Sequence, residues 1–487
     1  MFEKYILAID QSTSGTKALL FNGKGDLVER CDLSHRQIIN DKGWVEHDLK
    51  EIYNNTIEAV KQLIEKSGID KTKIYGVGIS NQRETAAVWD KTTGEPIYNA
   101  IVWQCTRGEA ICNRISQRGK SDMIKAATGL PLSPYFSGAK IAWVLENVDT
   151  TDREICAGTI DSWLVFKLTG NFKTDYSNAS RTQLFDIIKL KWSDDVCGEF
   201  GINTAFLPEV CYSNSCFGYT DFEGFFDKKI PIHCVMGDSH AALFGQGCLD
   251  PGMIKTTYGT GSSVVMNTGK EPIWSGKGVV TSIAWGMSGN VNYILEGNIN
   301  YTGAVIKWIV DDLGLIDSPN DTSRYAEEAK TDDETYLVPA FTGLGAPYFN
   351  SEAKAIISGM TRTTGKAEIV KAALESIAYQ IADIVEIMLE ATTDIEADSI
   401  RVDGGPTRNK YLMQFQSNIL NLPVLVPLVE ELSGLGVAYA TGIAMQIYDY
   451  DEVFSQVERK RVTPTMELDM LIKKRNGWKE AVRLVLR

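Results

Sequence analysis

The fold of this chain is decided by the stretch Ile6-Leu-Ala-Ile-Asp10-Gln-Ser-Thr13-Ser-Gly15-Thr16-Lys17, which leads into Ala18-Leu-Leu-Phe21. A stretch of the same design, Met253-Ile-Lys-Thr-Thr257-Tyr-Gly259-Thr260-Gly261-Ser262-Ser263, leads into Val264-Val265-Met266 in the second half of the chain. Each is a β-run, a turn of Gly, Ser and Thr, and another β-run. Such turns expose backbone N–H groups and hydroxyls toward an anion. The pair therefore predicts a phosphate clamp between two related domains.

The alternation of strand and helix signals predicts an α/β fold with two domains. At 487 residues the chain is too long for one hydrophobic core. The turn Asp250-Pro251-Gly252 precedes the second hairpin, so we expect domains at residues 1–249 and 250–487. The first hairpin continues through the turn Asn22-Gly-Lys-Gly-Asp26 into a further strand. This is an antiparallel meander rather than the β-α-β unit of a Rossmann fold.

Composition excludes several classes of function. The net charge of −14 argues against nucleic acid or an anionic membrane as a partner. No apolar run approaches the roughly 18–20 residues that span a bilayer, and the strand at Tyr5–Ile9 leaves no room for a signal peptide. We therefore expect a cytoplasmic protein. The nine cysteines form no Cys-x-x-Cys pair and the four histidines are scattered, which indicates reduced structural thiols and no zinc site.

Charged residues follow several predicted strands. Asp10 follows Ile9, and Asp238 follows Met236-Gly237, at the strand ends where α/β sheets place ligands. A carboxylate there can hold Mg²⁺ through water or take a proton from a hydroxyl, although a helix N-cap is the alternative for Asp238. Arg83-Glu84 follows a buried strand at Tyr75–Ser80. This pair offers a donor and an acceptor to vicinal hydroxyls, or it forms a surface ion pair.

Aromatic and glycine positions add weaker signals. Trp103 ends an apolar run and Tyr135 lies in the segment Pro134–Lys140. Either could wall the carbon skeleton of a polyol, although core packing is the commoner role for an aromatic residue. Gly404-Gly405 follows a strand and would let a flat ligand approach the backbone. Gly119-Lys120-Ser121 is not a P-loop, because Arg114 occupies the position of its first glycine.

Taken together, these segments resemble the FGGY carbohydrate kinases, and the glycerol kinases most of all among them. The similarity runs nearly end to end and includes Gly43–Asp48, Ile79–Thr85, Tyr98–Cys105, Pro134–Gly138, Asp175–Thr182, Pro339–Tyr348, Arg401–Gly405 and Leu412–Ser417. It implies two ribonuclease H-like domains of the actin/hexokinase type that flank a nucleotide cleft. The N-terminal domain would carry the polyol site and the first phosphate hairpin, and the C-terminal domain the second hairpin and the adenosine site. The resemblance also implies ATP, Mg²⁺ and a homodimer or higher homo-oligomer.

The resemblance carries residue roles onto this chain. Asp238 matches the catalytic base and Asp10 the magnesium-associated carboxylate. The implied polyol contacts are Arg83, Glu84, Trp103, Tyr135, Asp238, Ser239 and Ser263. The implied nucleotide contacts are Thr13, Ser14, Lys17, Thr260, Gly261, Gly303, Lys307, Gly405 and Asn409.

Four positions depart from the glycerol kinase pattern. Lys17 stands where that pattern has arginine, which keeps the charge but loses the bidentate fork. Lys307 replaces a glutamine, Ser239 replaces the glutamine after the base, and Ser263 replaces a phenylalanine that faces the tryptophan across the glycerol carbons. The two serines would make the acceptor pocket roomier and more polar. The acceptor is then a longer tetritol, pentitol or small ketose, or neighbouring side chains refill the space and glycerol remains the substrate.

The function that the resemblance implies is ATP-dependent phosphorylation of a terminal hydroxyl of a small polyol, with glycerol to glycerol 3-phosphate as the default. Erythritol, xylitol and xylulose are the alternative acceptors. An actin-like ATPase switch would share the hairpins but has no need for Arg83-Glu84 beside Trp103 and Tyr135. A catalytically inactive sugar sensor would not need both Asp10 and Asp238. ATP consumption that depends on added polyol separates these classes.

Overall fold

The structure is a computed structural model that describes residues 4–276, 278–392 and 394–486. The strands are β1 Tyr5–Gln11, β2 Gly15–Phe21, β3 Leu27–Ser34, β4 Ile38–Ile39, β5 Val45–His47, β6 Ile74–Asn81, β7 Ala86–Asp90, β8 Ala100–Ile101, β9 Ile155–Thr159, β10 Lys173–Asp175, β11 Phe185–Asp186, β12 Lys191–Trp192, β13 Glu209–Cys211, β14 Gly218–Thr220, β15 Ile230–Gly237, β16 Ile254–Tyr258, β17 Ser262–Gly269, β18 Val280–Met287, β19 Asn290–Ile299, β20 Tyr336–Val338, β21 Ile356–Ser358, β22 Ile400–Asp403, β23 Val424–Pro427 and β24 Arg459–Val462. The α-helices are α1 Leu49–Ser67, α2 Glu109–Gln117, α3 Ser121–Thr128, α4 Ser137–Asn147, α5 Ile160–Thr169, α6 Tyr176–Ser180, α7 Asp194–Glu199, α8 Asp238–Gly245, α9 Gly303–Lys307, α10 Thr322–Glu328, α11 Lys366–Ala391, α12 Lys410–Leu420, α13 Leu432–Ala444, α14 Tyr450–Ser455 and α15 Leu468–Val485.

The two largest sheets share one plan. The first sheet has the order β14-β15-β6-β1-β2-β3, and the second has the order β18-β19-β17-β16-β22-β23-β24. In the first sheet β1, β2 and β3 form an antiparallel meander, while β6 is parallel to β1 and β15 is parallel to β6. In the second sheet β16, β17 and β19 form the meander, while β22 is parallel to β16 and β23 is parallel to β22. This duplication confirms the predicted α/β fold with two ribonuclease H-like units. The boundary at residues 249 and 250 stays a prediction.

Local sequence signals explain where the main helices lie. Asp48 caps α1 by accepting hydrogen bonds from two backbone N–H groups, and Gly68 ends that helix in the left-handed conformation. Apolar residues recur at helical spacing over residues 367–391, and they form the buried face of α11. The pattern over residues 302–314 also indicates one helix, but the structure has the short α9 followed by a π-helical turn at Trp308–Asp312.

Helices α8 and α13 cross between the two sheets and join the halves of the molecule. An added Cβ at Gly436 of α13 would lie 1.9 Å from the carbonyl oxygen of Ala241 in α8, so the crossing requires glycine there. Around this crossing, Met236 of the first sheet, Val265 of the second and Leu435 of α13 belong to one apolar cluster. The carboxyl ends of β15, β16 and β22 therefore meet at one cleft.

A smaller sheet, β4-β5-β8-β7-β9, lies in the N-terminal half. The link from β6 to β7 carries Arg83-Glu84, and Trp103 follows β8 directly. All nine cysteines are free thiols, as predicted. Among the described residues, none of the helices has the length and apolar character needed to span a bilayer.

Candidate active site

A cleft of about 1160 Å³ opens between the two sheets, slightly larger than the roughly 300–1,000 Å³ typical of ligand sites. The residues that line it include Lys17, Asp238, Ser239, Lys255, Asp403 and Gly405. Both halves of the chain contribute, because Lys17 of the first hairpin and Lys255 and Thr257 of the strand before the second turn line the same ligand-sized space.

Asp238 is the first residue of α8 and lines this cleft. Its side chain is 36% exposed, and Oδ1 lies 3.3 Å from Nε of Arg83. Burial raises the pKa of Asp238, and the positive charge of Arg83 opposes that rise. Gly237 is needed here because an added Cβ would lie 2.6 Å from Cγ of Arg83. The carboxylate is thus accessible to a ligand and suited to accept a proton.

Arg83 and Glu84 form a buried turn, not a surface ion pair. Glu84 has a φ of +58°, which is unusual for a residue other than glycine. The turn is fixed because Ser137 Oγ donates to the Glu84 carbonyl at 3.1 Å and Arg181 Nε donates to Glu84 Oε1 at 2.6 Å. The side chains of Arg83, Glu84 and Arg181 are each no more than 6% exposed.

Glu296 of β19 connects this turn to the other half of the molecule. Both terminal nitrogens of Arg83 donate to its carboxylate at 2.9 Å, in a bidentate arrangement. Arg181 Nη1 lies 3.0 Å from the same carboxylate. Burial alone would raise the pKa of Glu296, but Arg181 and Arg83 outweigh it and hold that pKa well below its ordinary value. A cross-domain ion network therefore sets the orientation of Arg83.

Trp103 and Tyr135 form an aromatic wall near the first hairpin. Their rings meet edge to face with centroids 5.7 Å apart. Trp103 Nε1 donates to Thr13 Oγ1 at 3.0 Å. The loop of Tyr135 is held by Lys140, whose Nζ donates to the carbonyls of residues 134, 135 and 136. Both aromatic side chains are half-buried, which leaves ring surface available to a ligand.

The two serines that depart from the family pattern lie on different elements, Ser239 on α8 and Ser263 on β17. Ser263 Oγ donates to Glu296 Oε1 at 3.3 Å, so this position is polar and tied to the ion network. The backbone carbonyl of Ser239 accepts a hydrogen bond from Lys255 Nζ at 3.5 Å. Ser263 and Ser239 are both half-buried.

The first hairpin carries a carboxylate and an ammonium directly opposite each other. Asp10 of β1 pairs in register with Lys17 of β2, and Asp10 accepts a hydrogen bond from Ser80 Oγ at 3.0 Å. Burial raises the pKa of Asp10 to about 6, although Lys17 works against this rise. Lys17 Nζ lies 2.5 Å from Glu431 Oε2, and Arg30 reaches the other oxygen of Glu431 at 2.8 Å. At the tip of the turn, Ser14 is exposed.

The second hairpin is docked against the start of α9. The carbonyl of Thr260 accepts from Thr302 N at 2.9 Å and from Ala304 N at 3.1 Å, and Gly303 N donates to the Gly259 carbonyl at 2.9 Å. An added Cβ at Gly261 would lie 2.3 Å from the carbonyl oxygen of Ile299. Only glycine therefore allows this close approach.

The remaining nucleotide candidates lie on separate elements. Gly405 opens a 3₁₀ turn, and an added Cβ there would have no heavy atom within 4 Å, so the backbone is open to a ligand. Asn409 caps α12 and donates to Thr322 Oγ1 at 2.9 Å. The side chain of Lys307 is 78% exposed, with Nζ 3.9 Å from Asp311. The position of the Lys307 side chain is therefore weakly constrained.

Magnesium binding can be tested against these side chains. In the described ranges, no three His, Cys, Asp or Glu side chains converge on a point that could hold a metal ion. Mg²⁺ commonly uses one or two carboxylates together with water and substrate phosphates. Asp10, buried beside the phosphate hairpin, fits such a site, whereas an all-protein cage does not.

Sequence reasoning assigned no role to Lys255, Glu296, Arg181 or Glu431. Lys255 had a usable signal, because it is a charged residue inside a strand that is otherwise apolar or Thr-rich. Arg181 and Glu296 had none, since Glu296 lies more than a hundred positions from both Arg83 and Arg181 along the chain. These contacts exist only after the two sheets come together.

Strands of the two Gly/Ser/Thr hairpins line one cleft together with Asp238, whose carboxylate lies beside Arg83, and this arrangement suits phosphoryl transfer to a small hydroxylated molecule. Comparison with known sequences agrees: the profile of the FGGY family of carbohydrate kinases, N-terminal domain, matches residues 5–245, and the profile of the C-terminal domain matches residues 254–445. The chain belongs to the FGGY family of carbohydrate kinases. It is an ATP-dependent phosphotransferase with a glycerol kinase-like function.

Individual relatives support this assignment. The chain is 48% identical to glycerol kinase 1 of Thermotoga maritima, with 99% of each chain covered. It is 45% identical to the glycerol kinase of Oceanobacillus iheyensis, with 99% of this chain and 98% of the relative covered. The crystal structure of Plasmodium falciparum glycerol kinase with ADP superposes with a TM-score of 0.94 at 36% identity, covering 99% of this chain and 98% of that one. A ligand-bound xylulose kinase from Lactobacillus acidophilus is similar in fold alone, with a TM-score of 0.87 at 21% identity and 99% and 97% of the two chains covered.

Proposed function

We propose that this protein transfers the γ-phosphoryl group of ATP to a terminal hydroxyl of glycerol and so forms glycerol 3-phosphate. The observation that carries the proposal is the position of Arg83 Nε, 3.3 Å from Asp238 Oδ1 at the end of the cleft. An orienting donor thus lies beside an acceptor for the hydroxyl proton. Relatives that are 48% and 45% identical are named glycerol kinases, which supports glycerol as the acceptor.

In this proposal the acceptor lies between the Arg83-Glu84 turn and the Trp103–Tyr135 wall. Arg83 donates to one hydroxyl and Glu84 accepts from its neighbour, so the third hydroxyl faces Asp238. The aromatic rings contact the carbon skeleton and exclude water from one side. Holding the acceptor in a single orientation supplies much of the rate, because positioning can lower a barrier by roughly 7–11 kcal/mol.

The donor binds along the two hairpins. Thr13, Ser14 and Lys17 contact the phosphates from one side, and Thr260 and Gly261 contact them from the other. The nucleoside lies toward the open end of the cleft, against Gly303, Lys307, Gly405 and Asn409. Asp10 would hold Mg²⁺, which when bound would neutralise negative charge on the triphosphate.

The transfer is an in-line displacement. Asp238 accepts the proton of the terminal hydroxyl, and that oxygen forms a bond to the γ-phosphorus. The bond between the γ-phosphorus and the β–γ bridging oxygen breaks, and ADP leaves with that oxygen. Closure of the cleft about the crossing of α8 and α13 would exclude water from the reaction.

Ser239 and Ser263 favour a second candidate, a longer acceptor such as erythritol, xylitol or xylulose. Ser263 donates to Glu296 at 3.3 Å, where the resemblance leads us to expect an apolar ring against the glycerol carbons. An acceptor with an additional hydroxyl could bind at this polar position.

Turnover on glycerol, erythritol, xylitol and xylulose, followed by coupled ADP release, tests both candidates. We expect the highest kcat/KM for glycerol. A higher value for one of the longer acceptors would replace glycerol by that substrate, and in that case Ser263→Phe should lower kcat/KM for it more than for glycerol. ADP release that no polyol or sugar stimulates would overturn the kinase proposal in favour of an actin-like ATPase or a sensor.

We also propose that the protein is a homodimer or a higher homo-oligomer. The resemblance to the family is the basis of this proposal. Sedimentation velocity at several concentrations tests it, and a single species at the monomer mass would contradict it.

A further inference from the structure

Lys255 is a buried ammonium group on the wall of the cleft. It lies in β16 and is 1% exposed. Its neighbours Ile254 and Tyr258 pack into the core of the C-terminal half. Lys255 and Thr257 lie on the opposite face of the strand and line the cleft. The amino group therefore approaches the ligand space from the second half of the chain.

The hydrogen bonding of Lys255 is far from complete. An ammonium has three donors, and in the described part of the chain Lys255 makes one hydrogen bond, to the carbonyl of Ser239 at the long distance of 3.5 Å. None of the ion pairs among the described residues includes it. By contrast, Lys140 donates to three carbonyls and Lys17 pairs with Glu431. A buried ammonium is costly unless an anion or several acceptors face it, so this environment suits an anionic ligand.

The position of Lys255 identifies which part of the ligand it would meet. Its hydrogen-bond acceptor belongs to Ser239, the residue directly after Asp238. The positive charge of Lys255 also counteracts the rise that burial causes in the pKa of Asp238. During the reaction the terminal hydroxyl comes closest to Asp238, and the phosphoryl group that this hydroxyl attacks lies next to it. Lys17 lies instead opposite Asp10 on the first hairpin.

We propose that Lys255 is a catalytic residue that donates a hydrogen bond to a non-bridging oxygen of the transferred phosphoryl group. This inference rests on the proposed kinase function and adds a cation from the second domain. Lys255 forms no covalent bond and keeps its proton. Its charge stabilises the negative charge of the phosphoryl group in the transition state, a type of contact whose removal typically costs roughly 10²–10³-fold in kcat.

The test compares Lys255→Met and Lys255→Gln with the wild type. Calorimetric titration measures the affinity for ADP and for a non-hydrolysable ATP analogue that carries a γ-phosphate. We expect both variants to lose roughly 10-fold or more of analogue affinity, to keep ADP affinity within about threefold, and to lose roughly 10²–10³-fold in kcat. Lys255→Gln keeps a donor for the Ser239 carbonyl, so it separates the charge from a purely structural hydrogen bond.

Lys371→Met is the matched control. Lys371 is another nearly buried lysine of the C-terminal half, and its Nζ donates to the Lys330 carbonyl at 2.8 Å away from the cleft. This control should lower the Tm without changing the ratio of analogue to ADP affinity. An unchanged ratio in both Lys255 variants, or a kcat within threefold of the wild type, would overturn the inference. The binding ratio needs no acceptor, so this result is distinguishable from a failure of the polyol assay.

Discussion

The two phosphate hairpins have the same backbone plan but different chemistry. In the first, Asp10 faces Lys17 across the strand pair, whereas in the second Thr257 faces Ser263. The first hairpin has a charged pair near its turn, and Glu431 already neutralises its lysine. The second has a neutral turn. Its cation is Lys255, which lies two residues before Thr257 in β16. The duplicated fold thus has two similar hairpins whose side chains differ. In our proposals the first hairpin contacts metal and phosphates, and the strand of the second brings Lys255 to the reacting centre.

The largest expected effect comes from Asp238→Asn, because Asp238 lines the cleft that strands of both hairpins reach and is the proposed base. We expect kcat to fall roughly 10²–10⁴-fold, since the hydroxyl would lose its proton acceptor. Nucleotide and polyol should still bind, because the hairpins and the Arg83-Glu84 turn are intact. Coupled ADP release measures the rate, and calorimetry measures binding. Turnover close to that of the wild type would remove Asp238 from the role of base.

Glu296→Gln tests whether the second sheet controls the acceptor site of the first half. The variant weakens the bidentate contact with Arg83, and hydrogen bonds to charged groups contribute roughly 1.5–3 kcal/mol. We therefore expect kcat/KM for the polyol to fall roughly 10–100-fold, with the KM for ATP little changed. The measurement is steady-state kinetics with each substrate varied in turn.

Asp383→Asn is the control for that experiment. Asp383 is a buried carboxylate of the C-terminal half that pairs with Arg475 at 2.8 Å. We expect it to lower the Tm as Glu296→Gln does while leaving the polyol KM unchanged. Equal polyol effects in the two variants would reduce the role of Glu296 to general stability.

The pH dependence of stability in Asp10→Asn tests whether the charge of Asp10 distinguishes the first hairpin from the second. The pKa of Asp10 is about 6 in the folded protein against 3.8 for the ordinary group. The folded state therefore binds more protons between these values, and stability falls as the pH rises from about 4 to about 6. Above that window the buried carboxylate costs on the order of 3 kcal/mol. We expect Asp10→Asn to raise the Tm at pH 7.5, to change it little at pH 4, and to reduce activity.

Scanning calorimetry at the two pH values measures this difference. An increase in Tm of the same size at both would show that ionisation of Asp10 is not the cause. A fall in Tm at pH 7.5 would mean that the charge of Asp10 stabilises the hairpin through Lys17.

The smallest effect is expected from Glu431→Gln. This residue pairs with Lys17 at a partly exposed site, and such pairs are worth roughly 0.2–1 kcal/mol. Phosphate must displace Glu431 from Lys17, so the KM for ATP should fall up to about fivefold. Glu430→Gln is the control, because Glu430 is exposed in the same loop and pairs with Arg408. An unchanged or higher KM for ATP in Glu431→Gln would mean that Lys17 does not bind the phosphates.

Much of the fold was predictable because it depends on local pattern. The hairpin turns, the Asp48 cap and the stripe of α11 are short-range features that the structure reproduces. The candidate site was predictable to the extent that its residues lie at strand ends, as Asp10 and Asp238 do. The surroundings of Arg83 could not be predicted, since a surface ion pair and a buried network look alike in sequence. The π-helical turn after α9 was also missed, because its apolar spacing resembles that of an ordinary helix.

By itself, the sequence determined the two hairpins, the carboxylates beside them and membership of a kinase family, because each depends on residues close together in the chain. The tertiary structure alone decided which charges meet. Glu296 reaches Arg83 and Glu431 reaches Lys17 only because the crossing of α8 and α13 brings the two sheets together. Among the described residues, Lys255 makes one long hydrogen bond for the same reason, since burial and the number of partners are properties of the folded chain. The sequence was enough to indicate phosphoryl transfer. Packing between the two halves determined which charged groups lie close together in the site.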